Sequence, residues 1–120
     1  MRRNKFVFRT IILSIFFLTS SILFADTQQE IDHLLGFVGK TNCEYVRNGS
    51  SHTGLEAKEH INKKYAYYKD QIHSAEDFIK YSATKSEMSG RKYKVLCPGK
   101  STQDSSEWLL DELKHYRSMP

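Results

Sequence analysis

Cysteine is scarce in this 120-residue chain, with two in all, Cys43 and Cys97. Neither belongs to a Cys-x-x-Cys pair, which removes the commonest zinc and redox motifs. A His-Glu-x-x-His run is missing as well, and with it the helical metalloprotease signature. No segment repeats, and no linker is long enough to divide the chain. No catalytic motif is strong enough to name a reaction. An excess of one charge is also lacking, although this emerges only when the N-terminus is set apart.

The first two dozen residues read as a cleavable export signal. Arg2, Arg3, Lys5 and Arg9 supply the positive start, and Ile11-Ile12-Leu13-Ser14-Ile15-Phe16-Phe17-Leu18 the apolar stretch. Smaller residues follow, and the pattern places cleavage after Ala25. A retained anchor would want about 20 predominantly apolar residues, more than this run offers. No cysteine stands near the cleavage point to take a lipid. The full chain has 18 Lys+Arg against 14 Asp+Glu. Four of the basic residues lie within the signal and no acidic one does, so the remainder balances at 14 minus 14, or zero. That neutrality argues against nucleic acid or an anionic membrane as partner once the signal is gone. Residues 26–120 are expected to form one domain with one modest core.

An even pair of cysteines in an exported chain reads as a disulfide before it reads as a thiol nucleophile or half a metal site. Around it, helices alternate with short strands. Ile31, Leu34, Leu35 and Val38 recur at i, i+3, i+4 and i+7, which predicts a helix over Thr27 to Gly39. Cys43 to Arg47 alternates as a strand and stops at the turn pair Asn48-Gly49. Thr53 with Glu56 forms a capping box for a second helix, with Ala57, Ile61, Tyr65, Tyr68 and Ile72 as its buried stripe. Ser74 and Asp77 open a third helix, broken by Thr84 to Gly90. Lys92 to Cys97 reads as a second strand ended by Pro98-Gly99, and Asp104 with Glu107 caps a last helix bearing Trp108, Leu109, Leu110, Leu113 and Tyr116. The expected class is α+β, about four helices around a two-stranded antiparallel ribbon. With Cys43 opposite Cys97, Tyr45 faces Val95 and Arg47 faces Tyr93.

The segment Arg47 to His60 concentrates the candidate functional groups. Glu56, His60 and Lys64 share a helix face at i, i+4 and i+8, with His52 near the helix start. A His/Glu/His set can hold zinc or move a proton. The plainer alternative is a polar seam, with Glu56 in the capping box, His60 half-buried and Arg47 paired to a carboxylate. Gly99-Lys100-Ser101-Thr102 lies between strand and helix like the end of a phosphate loop, but Lys94 stands where the first glycine belongs. Asn48-Gly49-Ser50 matches a glycosylation sequon and reads first as a turn. Tyr67, Tyr81 and Trp108 are the expected surface aromatics. The candidate ligand-binding residues are therefore Arg47, Asn48, His52, Glu56, His60 and Trp108, with no cofactor and no metal expected.

Tyr45-Val46-Arg47-Asn48-Gly49, His52, Glu56-Ala57, His60, Ser74 to Ile79, Ser89 to Tyr93, Pro98-Gly99-Lys100 and Trp108-Leu109-Leu110 together resemble the YfeK-like family of exported bacterial domains. The similarity covers nearly all of the chain after the signal. It implies a periplasmic location and a Cys43–Cys97 pairing, and it brings no catalytic residues with it. Thr84 to Met88 departs from the family pattern, which is richer in serine there. Two functions follow as expectations. The first is a non-enzymatic binding or inhibitor module that offers the Arg47–His52 turn and the Thr84–Arg91 loop to a periplasmic protein or cell-wall component. The alternative is a small hydrolase or metal-binding protein using His52, Glu56 and His60.

Overall fold

The computed structural model describes residues 26–120, and the expected export signal lies outside them. Helix α1 covers 26–40. Strands β1 (Glu44–Arg47) and β2 (Ser50–His52) form a hairpin, followed by α2 (Gly54–Tyr67) and a single 3-10 turn (Lys69–Gln71). Helix α3 (Ala75–Ser82), β3 (Lys94–Leu96), β4 (Gln103–Asp104) and α4 (Ser105–Ser118) complete the domain. No helix among the described residues is long and apolar enough to cross a membrane.

The class is α+β as the sequence pattern predicts, but the sheet has four antiparallel strands, ordered β2-β1-β3-β4, rather than two. The two extra strands are short and polar, Ser-Ser-His and Gln-Asp, so they carry none of the apolar alternation that marks a strand in sequence. The β1–β2 hairpin turns on Asn48 (φ 52°) and Gly49 (φ 80°), the left-handed pair that a tight two-residue hairpin requires. The central register pairs Tyr45 with Val95 and Glu44 with Leu96, as expected. One residue beyond the ladder, Cys43 and Cys97 form the disulfide.

One face of this sheet meets the helices. Tyr45, Tyr93 and Val95 point inward and are buried with Leu34, Val38, Ile61, Phe78, Ile79, Leu109 and Leu113. Each fully buried aliphatic side chain contributes about 1.5–3 kcal/mol relative to exposure. Helices α2 and α4 contact the sheet, and α3 packs against both. Helix α1 adds Ile31, Leu34, Leu35 and Val38 to the same core, with Phe37 against Trp108 at a centroid separation of 4.7 Å. Arg117 adds a surface clamp by donating to both Glu30 and Glu76, which joins α4 to α1 and α3.

Local signals decide the helix ends. The Thr53–Glu56 capping box is present in both directions, and the Ser74 hydroxyl accepts from the Asp77 amide. Gly54, the first residue of α2, sits where a side chain has no room. A Cβ there would lie 2.4 Å from the Val38 carbonyl oxygen and 3.1 Å from that of Thr41. Two expectations are corrected. Helix α2 ends at Tyr67, so Ile72 lies beyond the 3-10 turn rather than on the same helix. Asp104 precedes α4 without capping it, because its carboxylate takes Lys94 and Lys92 across β3 and β4 instead. Leu110 faces outward.

Candidate functional site

Alternation along β1 places Arg47 on the same side as buried Tyr45, at the end of the sheet where the core gives way to solvent. Tyr93, the residue just before β3, approaches it. From above, α2 presents His60 and Lys64 one turn apart, beside the buried Ala57 and Ile61. The long loop after α3 folds back onto this end. Ser86 is its pivot: its amide donates to the Arg91 carbonyl (3.0 Å), its carbonyl accepts from Gly90 (2.9 Å), and its side chain is buried. Asn48 latches the hairpin to that loop by donating to Ser86 Oγ (3.4 Å) and accepting from Ser89 Oγ (2.6 Å). The two segments expected to offer a recognition surface are thus fastened to each other.

Between them lies an open cavity of about 480 Å³, lined by Arg47, Asn48, His60, Lys63, Lys64 and Tyr93 among others. A line of hydrogen bonds runs along its floor. Arg47 Nη1 donates to His60 Nδ1 at 3.1 Å. A guanidinium only donates, so Nδ1 must be the bare ring nitrogen and Nε2 carries the proton. His60 Nε2 therefore donates to Tyr93 Oη at 3.2 Å, which also accepts from Lys64 Nζ at 3.3 Å. Lys64 further donates to the Lys85 carbonyl (2.7 Å) and lies 5.1 Å from the centre of the Tyr93 ring.

The electrostatics match this geometry. Burial, and then the charges of Arg47 and Lys64, hold the His60 imidazole well below its ordinary range, down to about 4. It is neutral at pH 7, as an acceptor from Arg47 has to be. Burial also lowers Lys64, although Glu87 pulls it the other way, and burial raises Tyr93. The expected pairing of Arg47 with a carboxylate is replaced by this bond to a neutral ring. Its Nε is buried with no partner among the described residues.

Arg47, Asn48 and His60 are therefore brought together. His52 and Glu56 are not part of this group: they stand 3.6 Å apart and line a separate cavity of about 330 Å³ with Asn42 and Glu44. The Thr53 hydrogen bonds that build the cap hold the Glu56 carboxyl below its usual range. The His52/Glu56/His60 set is thus not assembled, and no group of three His, Cys, Asp or Glu among the described residues is placed to hold a metal ion. Trp108, expected at the surface, is buried against Phe37. Sequence reasoning missed Lys63, and it singled out the Thr84–Arg91 loop without marking Ser86 or Glu87 within it; tertiary folding brings all three into the cavity. Tyr93 was placed opposite Arg47 by the strand register, and that pairing was the signal that its hydroxyl belongs here.

Fold and site together define a small, disulfide-tied α+β domain with a cationic, aromatic-lined cavity at one end of its sheet. The chain belongs to DUF5329, a family of unknown function, which matches residues 25–117. No curated protein and no solved structure matches it.

Proposed function

We propose that this is an exported, non-enzymatic binding module, and that the Arg47–His60–Tyr93–Lys64 cavity is its recognition site. The observation that carries the reading is the convergence of Arg47, Lys63, Lys64 and the Tyr93 hydroxyl on one open cavity held by two mutually latched loops. A rigid wall of this kind suits recognition, because little side-chain freedom is lost when a ligand arrives. The arrangement is a poor one for turnover. Both ring nitrogens of His60 are engaged, one by Arg47 and one by Tyr93, so the imidazole has no free nitrogen to act as a base.

The N-terminal signal pattern, the resemblance to YfeK-like exported domains and the Cys43–Cys97 bridge support a periplasmic location, where a disulfide persists. The partner there is a protein or cell-envelope component. A crosslinking pull-down from a periplasmic extract tests the reading. Material captured by the wild-type protein should be lost with Arg47→Ala and with Tyr67→Ala. Capture that is unchanged in both variants would refute this site.

A further inference from the structure

Resting on that reading, we infer that the cavity takes an oxyanion carried on a compact ring-bearing molecule, a sugar acid or a sugar phosphate. Arg47, Lys63 and the Tyr93 hydroxyl donate to the anionic oxygens, and Tyr67 and Met88 flank the ring.

The hydrogen inventory leads to this. Tyr93 Oη accepts from both His60 Nε2 and Lys64 Nζ, so its own proton is left to donate, and no described residue accepts it. Arg47 spends one Nη1 bond on His60 and meets no carboxylate among the described residues. Lys63 forms no ion pair among them either. The surplus at this wall is therefore all of donors, and donors in surplus call for an acceptor.

Charge points the same way. The lining has three cations, Arg47, Lys63 and Lys64, against one carboxylate, Glu87, which leaves 3 minus 1, or plus two. Glu87 stands at the rim, 3.5 Å from Lys64 with its side chain 52% exposed, and offsets that lysine alone. The neutral His60 adds no charge but fixes Arg47 and Tyr93 in place. A guanidinium held in this way offers the planar fork that carboxylates and phosphates both accept.

The rim explains the ring. Tyr67 is 80% exposed and Met88 fully exposed, an uncommon pair of apolar groups left beside a charged floor. Tyr67 is braced edge-on by Tyr68, with ring centroids 4.8 Å apart. A braced tyrosine face is a stacking surface for the apolar side of a sugar. The cavity volume falls in the range of small-molecule sites.

The test is a titration of the purified protein, followed by amide NMR shifts, with glucuronic acid, glucose 6-phosphate and glucose. At least one acid should shift the amides of Asn48, Ser86 and Glu87 and bind about tenfold tighter than glucose. The tighter of the two identifies carboxylate or phosphate as the natural anion. Arg47→Gln should weaken the acid about tenfold while leaving glucose unchanged. Tyr93→Phe removes only the hydroxyl and should weaken it several-fold. Lys63→Gln, at an exposed position, keeps the test valid if Arg47→Gln does not fold. Equal shifts from glucose would overturn the oxyanion and leave the binding site standing. Absence of cavity shifts with all three ligands would overturn the ligand class, and if partner capture still depends on Arg47 the module reading survives. Acid-induced shifts away from the cavity and indifferent to Lys63→Gln would overturn the ligand assignment, and partner capture indifferent to Arg47→Ala would then remove the site as well.

Discussion

Opening the Cys43–Cys97 bridge is the perturbation whose size follows most directly from the structure. The two residues are 54 apart in sequence. In the chain-entropy treatment, closing a loop of about that length removes about 14 cal/mol/K from the unfolded chain, which is about 4 kcal/mol at 25 °C. Both cysteines are only partly buried beside the core, so Cys43→Ala with Cys97→Ala adds a small packing loss to that figure. A domain of this size holds about 5–15 kcal/mol in total, so the bridge carries a large share. With about 4–8 °C per kcal/mol, the melting temperature should fall by roughly 15–30 °C. Urea unfolding of oxidised protein, reduced protein and the double-alanine variant, followed by circular dichroism, measures it. The reduced and double-alanine forms should agree, and both should show a steeper urea dependence, since an uncrosslinked unfolded chain exposes more surface. A loss under about 1 kcal/mol would refute the loop argument. A large loss in the double variant without one on reduction would place the effect in packing.

Gly54→Ala puts a Cβ 2.4 Å from a backbone oxygen that cannot move without displacing the end of α1, and should cost about 1–3 kcal/mol in urea unfolding, the range for overpacking. Tyr45→Phe removes a 2.8 Å bond between two buried hydroxyls and leaves Ser105 unpaired, for a loss of about 1–3 kcal/mol; an unchanged midpoint would show that Ser105 finds another partner. His60 has an ordinary imidazole value of 6.5 and a folded value of about 4. Between those values the unfolded chain takes up a proton that the folded state refuses, so His60 makes the fold less stable as pH falls from about 6.5 to 4. His60→Gln should flatten that part of the pH–stability curve, and an NMR titration of the ring should find its midpoint near 4.

Much of the fold was legible because its determinants are local. The 3.6-residue spacing of Ile31, Leu34, Leu35 and Val38, the Thr53–Glu56 box, the Ser74 cap and the Asn48-Gly49 turn each act within a few residues. The β1–β3 register was legible for a different reason: two cysteines and a period-two pattern must agree, and one alignment satisfies both. The strands β2 and β4 were not, because three polar residues and two polar residues carry no apolar alternation, and only the neighbouring strand makes them strands.

The site divides along the same line. Sequence spacing put His60 and Lys64 on one face of α2 and set Arg47 opposite Tyr93. It also grouped His52 and Glu56 with His60, which proximity on a helix does not guarantee. Tertiary structure separated them, sending His52 and Glu56 to a different cavity, and it buried Trp108 where α1 crosses α4. It also delivered Ser86 and Glu87 from a loop nearly forty residues further along the chain than Asn48 and closed that loop onto the hairpin. The sequence alone determined the helices, the turn and the cysteine-tied strand pair, since these depend on contacts a few residues apart or on one covalent constraint. Which charged and aromatic groups share a cavity depended on how two distant loops pack, and long-range packing was decided only by the folded chain.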